Sequence, residues 1–382
     1  MTKSSGRTVI LRINGVGHAF LRELGCDACP RCSKDQRIVA NTSASLIVKS
    51  PWEHQRHIEQ HVLFDCGIGV VDSLMEYGIS RVDYLFITHN HVDHTGGLDR
   101  LLNSQRRTQP RSQDPAADTL VLKKPILYST NETWKKGIAW GYPWLVGMVE
   151  WRSLNPALST GEPIVPDATG LGIHLKVTPI PVYHGPSAFE SVMYVVEFGR
   201  GHDYRKLILG WDFLHLVTQH PPPSGIDPPH ADSYVPTIKP TGPGSYGYPT
   251  DDYPENRDAL YAGLANPAEH LKPDELLPIH QPLKAPHELF LDGNTVTPQP
   301  YTGHASIMSG FSLIRRLNPR RTWIALYSGH EDPEGPRSDD ELQAWMDEHK
   351  HDYGLATHEI LVAKHGMVLT FAVSDEAGLG SS

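Results

Sequence analysis

The chain has 382 residues, a formal net charge of −10 at pH 7 and 39% hydrophobic residues. It is therefore long enough to bury a substantial core. The negative net charge disfavours a long nucleic-acid substrate, so nucleic acid is an unlikely partner. No segment approaches the roughly 20 apolar residues of a membrane-spanning helix, and the first residues lack the apolar core of a signal peptide. These features predict a cytoplasmic protein without a membrane partner.

The hydrophobic pattern predicts strands and helices that follow one another along a single domain, residues 1–382. Two polar stretches look like insertions in it. Residues 103–119 are expected to be a polar loop. Residues 220–300 hold more than half of the 32 prolines and are expected to be an irregular insertion or a flap. Strands are predicted at 8–13, 45–49, 61–65, 82–87, 171–182, 192–198, 206–211, 322–327 and 359–371, and helices at 68–77, 97–103, 307–317 and 338–349.

A histidine-rich stretch lies between a short apolar strand and the start of a helix. Within six residues it holds three imidazoles and one carboxylate, at His89, His91, Asp93 and His94. His89 and His91, two residues apart on extended backbone, can face one metal ion, while Asp93 and His94 can face a second. These ligand types suit Zn, and also Fe or Mn. The alternative is a histidine-rich surface loop that binds nothing.

The pattern His89-x-His91-x-Asp93-His94 after a hydrophobic strand resembles the signature of the metallo-β-lactamase superfamily. The resemblance implies an α/β fold, the αββα sandwich, with two divalent metal ions at one edge between its sheets. It also implies a nucleophilic hydroxide that bridges the two metal ions. We therefore expect one domain of this fold with a proline-rich insertion.

Three strand ends match further parts of this superfamily. Asp65, in Asp65-Cys66-Gly67, would orient the metal ligands without binding metal itself. His184 would be the third histidine ligand of the first metal, and Asp212 the bridging carboxylate. Taken alone, a His or Asp at a strand end is more typical of a cap or turn. Their order and spacing after the signature favour the metal site.

Three cysteines near the N-terminus point to one branch of the superfamily. Cys26, Cys29 and Cys32 resemble the cysteine cluster of the phosphonate-pathway cyclic phosphodiesterases and their eukaryotic putative-hydrolase relatives. The resemblance implies a structural zinc, with His330 as the fourth ligand. The spacing differs from that of the bacterial enzymes, and three reduced cysteines in a loop are the alternative.

The segment Gly303-His304-Ala305-Ser306 resembles a segment of the same phosphodiesterases. It is also similar to part of the tRNA 3′-processing endonucleases and, around His304, of the pyrroloquinoline-quinone synthesis protein B. The first two resemblances imply that His304 faces the scissile phosphate as a general acid. A histidine that caps a helix is the alternative.

Tyr327 stands where the bacterial relatives have a histidine that completes the second metal site. Two alternatives follow. Either the second metal is held only by Asp93, His94 and Asp212, or His330 serves the active site instead of the structural zinc. The sequence does not choose between them.

These residues together predict a metal-dependent phosphodiesterase that acts on a small or cyclic phosphate ester. His304, Asp93 and Asp212 are the expected catalytic residues, and the expected partner is a small-molecule phosphate ester. A homodimer is an open alternative to a monomer. Hydrolysis of a carboxylic ester, lactone or thioester at the same metals is the alternative reaction. A non-hydrolytic member of the fold that binds a metal or ligand is the alternative from another class.

Overall fold

Two seven-stranded sheets pack face to face, and helices cover their outer faces. This arrangement is the predicted αββα sandwich. The computed structural model describes residues 7–17, 40–49, 58–108, 124–154, 175–184, 188, 190–213, 215–216, 278–297, 304–327, 329, 332 and 335–373.

The first sheet is built mainly from the N-terminal half of the chain. Its strands are β1 (Arg7–Gly15), β2 (Ser43–Lys49), β3 (Ile58–Phe64), β4 (Tyr84–Phe86), β5 (Ile126–Thr130), β6 (Glu150–Leu154) and β14 (Val368–Val373). The strand order is β14-β1-β2-β3-β4-β5-β6. Neighbours are antiparallel from β14 to β3 and parallel from β3 to β6. The carboxyl ends of β3 and β4 therefore meet at one edge, where polar side chains can converge.

The second sheet repeats this mixed arrangement. Its strands are β7 (Leu175–Tyr183), β8 (Val192–Phe198), β9 (Arg205–Gly210), β10 (His215–Leu216), β11 (Glu288–Asp292), β12 (Arg321–Ala325) and β13 (Glu359–Val362). The strand order is β10-β7-β8-β9-β11-β12-β13. β9, β11, β12 and β13 are parallel, so the carboxyl ends of β9 and β11 also meet at one edge.

Among the described residues, six short α-helices accompany the sheets. They are α1 (Val70–Glu76), α2 (Val92–Thr95), α3 (Leu98–Thr108), α4 (Ala139–Gly141), α5 (Ile307–Leu317) and α6 (Asp339–His349). A π-helical turn covers Thr133–Ile138, and 3₁₀ turns cover Pro143–Met148, Gly201–Asp203, Pro278–Leu283 and Lys350–Tyr353. No helix in the described ranges has the length and apolar character needed to cross a membrane.

Three apolar layers hold the sandwich together. The middle layer lies between the sheets and contains Phe64, Phe86 and Tyr194, whose ring centroids lie 5.3 to 5.6 Å apart. The two outer layers pack each sheet against its own helices. β1 and β8 lie inside their sheets and are covered on both faces, so they are almost continuously buried rather than alternating.

The predicted insertions need correction where the structure describes them. Residues 103–108 belong to α3, so the loop predicted at 103–119 begins too early; residues 109–119 lie outside the described residues. The insertion predicted at 220–300 ends too late, because β11 lies between β9 and β12 inside the second sheet. All five residues of β11 are buried. The prolines around β11 led to a prediction of irregular structure, although β11 itself is apolar. Residues 220–277 lie outside the described residues.

One predicted strand is also wrong in detail. The stretch 359–371 is not continuous but forms β13 and β14, which belong to different sheets. The break falls at a turn in which Gly366 has φ 75°, a conformation that favours glycine. Strands β5, β6 and β10 were not predicted, because they are short and carry polar residues among the apolar ones.

Candidate metal centre

Asp65 directly follows β3 and organises the first sheet's side of the site. Its backbone has φ 57°, in the left-handed region that Asp adopts more readily than most residues. Its Oδ1 accepts a hydrogen bond from the Thr88 backbone N–H at 2.8 Å, and its Oδ2 accepts one from the Thr88 hydroxyl at 2.8 Å. Oδ2 also lies 2.8 Å from His94 Nδ1 and from Trp211 Nε1. The position predicted for a supporting carboxylate thus contacts both a signature histidine and the second sheet.

Thr88 determines which nitrogen of His89 faces the site. Since the Thr88 hydroxyl donates its proton to Asp65, its oxygen accepts from His89 Nδ1–H at 3.0 Å. His89 Nε2 is then left with a lone pair. In the described part of the chain this buried nitrogen has no hydrogen-bond partner. A buried imidazole nitrogen directed at other ligand atoms is suited to a metal ion.

The short helix α2 begins between the two pairs of signature residues, His89 with His91 and Asp93 with His94. His91 is the N-cap of α2 and keeps extended backbone, so its ring stays beside that of His89, with 4.6 Å between the centroids. Asp93 and His94 lie in the helical turn itself. Asp93 is buried, and its Oδ2 lies 3.5 Å from His94 Nε2.

The second sheet contributes His184 and Asp212 at the ends of β7 and β9. Asp212 also has a left-handed backbone, with φ 54°. Its Oδ2 forms a short hydrogen bond with His94 Nε2 and lies 3.9 Å from both His89 Nε2 and His184 Nε2. Its Oδ1 is buried without a hydrogen-bond partner among the described residues. Asp212 therefore lies where the two sheets' contributions meet.

Six of the predicted residues come together at ligand distances. Within each of three overlapping groups, the candidate ligand atoms lie within 4.8 Å of one another. The groups are His89, His91 and His184; His89, His94 and Asp212; and His184, Asp212 and His304. Imidazole nitrogens and carboxylate oxygens suit Zn, Fe or Mn. The cluster is compatible with metal binding, and its buried orphan atoms are those that a metal would satisfy.

The charges of the cluster are unequal. Burial, reinforced by the neighbouring imidazoles, holds the pKa of His89 well below its usual value, so His89 is neutral and able to bind a cation. Burial opposes a charge on His94, but Asp212, Asp65 and Asp93 outweigh it and raise its pKa well above the usual value. Burial also opposes a charge on Asp212, yet its pKa is held well below the usual value by His94 and other histidines. Asp212 is therefore ionised near neutral pH.

Asp292 is the functional candidate that sequence reasoning missed. It ends β11, is fully buried, and its Oδ2 lies 2.9 Å from His304 Nδ1. Backbone N–H groups of Phe213 and Asn294 donate to its two oxygens at 3.1 and 3.2 Å. Burial raises the pKa of Asp292, although His304 opposes this. The signal was an apolar strand that ends in Asp, the same pattern that identified Asp65 and Asp212.

Other predicted residues lie apart from the cluster or cannot be placed. Tyr327 is buried, and its hydroxyl donates to the Pro336 carbonyl at 3.0 Å. The structural zinc site stays a prediction, because all four of its residues lie outside the described residues: Cys26, Cys29, Cys32 and His330.

Comparison with known proteins agrees with this fold. Residues 50–112 match the family described as Metallo-beta-lactamase superfamily. A ribonuclease Z from Haloarcula marismortui is 44% identical over 45 residues, 12% of this chain and only 14% of that relative. The crystal structure of a diphosphatase from the PhnP family is 18% identical, covers 96% of this chain and 98% of its own, and has a TM-score of 0.55. Zn(2+)-bound PqqB from Methylobacterium extorquens is 11% identical, with coverage of 94% and 99% and a TM-score of 0.53.

At these low identities the two structures show similarity of fold. The family match places residues 50–112 in a metallo-beta-lactamase superfamily domain. The predicted family is confirmed, and the three relatives come from the branches that the sequence resembles.

Proposed function

We propose that this protein is a metal-dependent hydrolase, and specifically a phosphodiesterase that acts on a small or cyclic phosphate ester. One observation carries the proposal: His304, held by Asp292, lies at the rim of the cluster with its Nδ1 3.8 Å from Asp212 Oδ1. An imidazole in this place can protonate a leaving group beside the metal ligands. Two similar proteins, a ribonuclease and a diphosphatase, carry the names of enzymes that cleave phosphorus–oxygen bonds.

Two metal positions fit the cluster. His89, His91 and His184 would hold one divalent ion, and His94, Asp93 and Asp212 a second, with Asp212 shared between them. Divalent ions at such a site lower the pKa of water and neutralise the charge that develops on a phosphate. Asp65 and Thr88 orient the rings of His94 and His89, so that the nitrogens facing the site are unprotonated when a cation is bound.

His304 would supply the proton for the leaving oxygen. Because Asp292 accepts from His304 Nδ1–H, the other ring nitrogen, Nε2, is the one that can donate to the substrate. The ring is about one-tenth exposed, so a substrate can reach it. A small substrate is favoured because the net charge of −10 repels a long phosphate backbone.

The test is metal-dependent turnover of chosen substrates. The full chain would be treated with a chelator, reloaded with Zn or Mn, and assayed with bis(4-nitrophenyl) phosphate, a carboxylic 4-nitrophenyl ester and a lactone. We expect phosphodiester turnover that requires metal and disappears in His89→Ala. The matched control is His202→Ala, a histidine whose side chain is 82% exposed, which should keep full activity.

Two results would contradict the proposal. Metal-dependent turnover of the ester or lactone alone would assign the site to carbonyl chemistry. Metal binding without turnover of any of the three substrates would favour the non-hydrolytic alternative.

A further inference from the structure

We propose that Ser43 and Asn14 are positioning residues for the metal centre, a role that rests on the function proposed above. Neither residue belongs to the ligand cluster. Through the backbone carbonyl of Asp65 they hold the left-handed turn from which the Asp65 carboxylate orients His94.

The contact runs through a chain of short hydrogen bonds. The Ser43 hydroxyl donates to the Asp65 carbonyl oxygen at 2.9 Å. Asn14 Nδ2 donates in turn to Ser43 Oγ at 3.1 Å. Both side chains are fully buried, so water does not compete for these bonds.

Arg12 determines which group donates in each of these hydrogen bonds. Its Nη1 donates to Asn14 Oδ1 at 2.8 Å, which requires the Asn14 amide nitrogen to face Ser43. Because Ser43 Oγ accepts from that amide, its own proton is available for the Asp65 carbonyl. The guanidinium itself is almost completely buried and also donates to Ser73 Oγ at 2.8 Å. Each donor thus orients the next one toward Asp65.

An irregularity in β1 brings Asn14 into this position. Pairing with β2 shifts register between Ile13 and Gly15, so that Asn14 is the extra residue of a β-bulge. Bulges redirect side chains, often beside functional sites. The next residue must be glycine, because a Cβ there would lie 2.2 Å from the Asn41 carbonyl oxygen.

The Asp65 turn needs such support because its backbone is strained. A non-glycine residue in this region is less stable than in ordinary backbone conformations, and it persists where its surroundings hold it. If the carbonyl lost its partner, the turn could relax and carry Oδ2 away from His94 Nδ1. Thr88 and Trp211 also hold the carboxylate, so we expect the loss to be partial.

Ser45 provides a matched control. It lies two residues from Ser43 on the same strand and is equally buried. It joins the same network, accepting from Asn14 Nδ2 at 2.9 Å and contacting His61 Nε2 at 2.8 Å. These bonds of Ser45 go to Asn14 and His61 and not to Asp65, so a general loss of buried polar contacts would affect both serines alike.

The experiment measures zinc affinity of the chelator-treated full chain by competition with a chromophoric chelator. Ser43→Ala should weaken zinc binding at the cluster by about 10-fold, the lower end of the effect of losing an outer partner of a metal ligand. Ser45→Ala should bind zinc like the wild type, and Ser43→Thr, which keeps the hydroxyl, should restore the affinity. Zinc bound elsewhere in the chain is common to all variants and cancels.

A second variant tests the donor order in this series of hydrogen bonds without removing Ser43. Asn14→Asp keeps an acceptor for Arg12 but removes the amide donor, so the Ser43 hydroxyl would turn to the new carboxylate and release Asp65. We expect weaker zinc binding with an undiminished free energy of unfolding, because the new ion pair with Arg12 supports the fold. A destabilised chain with unchanged zinc affinity would overturn the role.

A double-mutant cycle separates positioning from general stability. If Ser43 acts through Asp65, Ser43→Ala should change zinc affinity little once Asp65→Ala is present. Equal losses in Ser43→Ala and Ser45→Ala, or a full additional loss in the Asp65→Ala background, would refute the proposal. A wild-type chain that binds no zinc at the cluster would instead refute the metal centre on which the proposal rests.

Discussion

The two sheets contribute to the candidate metal centre in different ways. The first sheet's half comes from one short stretch and one neighbouring strand end: Asp65, His89, His91, Asp93 and His94. The second sheet's half comes from four separate segments: His184, Asp212, Asp292 and His304. In the first half Thr88 bonds to both Asp65 and His89, whereas in the second half Asp292 holds His304.

The difference separates two tasks. The first half presents its signature side chains in positions that adjacent residues impose, and burial keeps His89 neutral, which suits metal binding. The second half places Asp292 against His304 at the rim of the cluster, which suits holding and moving a proton. Asp212 belongs to the second half but bonds to His94 of the first. Changes at Asp212 should therefore affect both metal binding and proton transfer. Changes at His304 and Asp292 should affect only proton transfer.

Asp212→Asn should have the largest effect. The variant loses the negative charge that the two proposed metal positions would share, so we expect turnover of bis(4-nitrophenyl) phosphate to fall roughly 10⁴-fold, with loss of metal. Metal analysis and kinetics measure this, and circular dichroism should show a retained fold. As a control, Asp83→Asn removes another buried carboxylate, one that pairs with Arg81 instead. Near wild-type turnover in Asp212→Asn would contradict its shared role.

His304→Ala should slow the reaction without removing metal. Esters with alkyl leaving groups should lose 10²- to 10⁴-fold, roughly the contribution of a general acid, while 4-nitrophenyl esters should lose little. A nitrophenolate hardly needs a proton when it leaves. The comparison of leaving groups, with metal content measured on the same samples, distinguishes the two tasks. The ligand atoms of His304, His184 and Asp212 lie within 4.8 Å of one another. Loss of a metal ion in His304→Ala would therefore mean that His304 is a metal ligand and not a general acid.

Asp292→Asn should have a smaller effect of the same kind. The amide cannot accept from His304 while also satisfying the two backbone donors, so we expect a loss of roughly 10²-fold for alkyl esters. Removal of the negative charge beside His304 should also make the protonated ring less stable. The fall in activity at high pH should therefore begin at lower pH than in the wild type. An unchanged pH–rate profile would show that Asp292 is only structural.

The sequence predicted the first half of the site better than the second. His89 to His94 are adjacent in the chain, so one motif contains both the residues and their spacing. Asp65, His184 and Asp212 were found because each ends an apolar strand in the expected order. Asp292 ends a similar strand but lies in a stretch whose prolines indicated irregular structure. No sequence pattern predicted the hydrogen bonds that connect Arg12, Asn14 and Ser43, because strand pairing and a β-bulge bring these residues together.

Outside the site, His61 should make stability depend on pH. It is fully buried between the Arg81 carbonyl and Ser45, and burial lowers its pKa from 6.5 to about 4. Below about pH 6.5 His61 binds a proton in the unfolded chain, whereas in the folded chain it stays neutral until the pH falls to about 4. The free energy of unfolding therefore falls as the pH decreases through this range. Between pH 7 and pH 5 the loss should be about 2 kcal/mol.

Urea unfolding of the wild type and of His61→Gln at both pH values measures this contribution. Other titrating groups are common to the two proteins, so the variant should lose less stability on acidification. Equal losses in the two proteins would contradict the assignment of a neutral buried imidazole.

Anomalous diffraction from crystals grown with zinc tests the central claim most directly, because it locates the metal rather than its effect. We expect two anomalous peaks roughly 3.5–4 Å apart, the spacing of two-metal sites. One peak should lie against His89, His91 and His184, and the other against Asp93, His94 and Asp212. Zinc that binds only elsewhere in the chain, with no peak among these residues, would contradict the claim that this cluster is the metal centre.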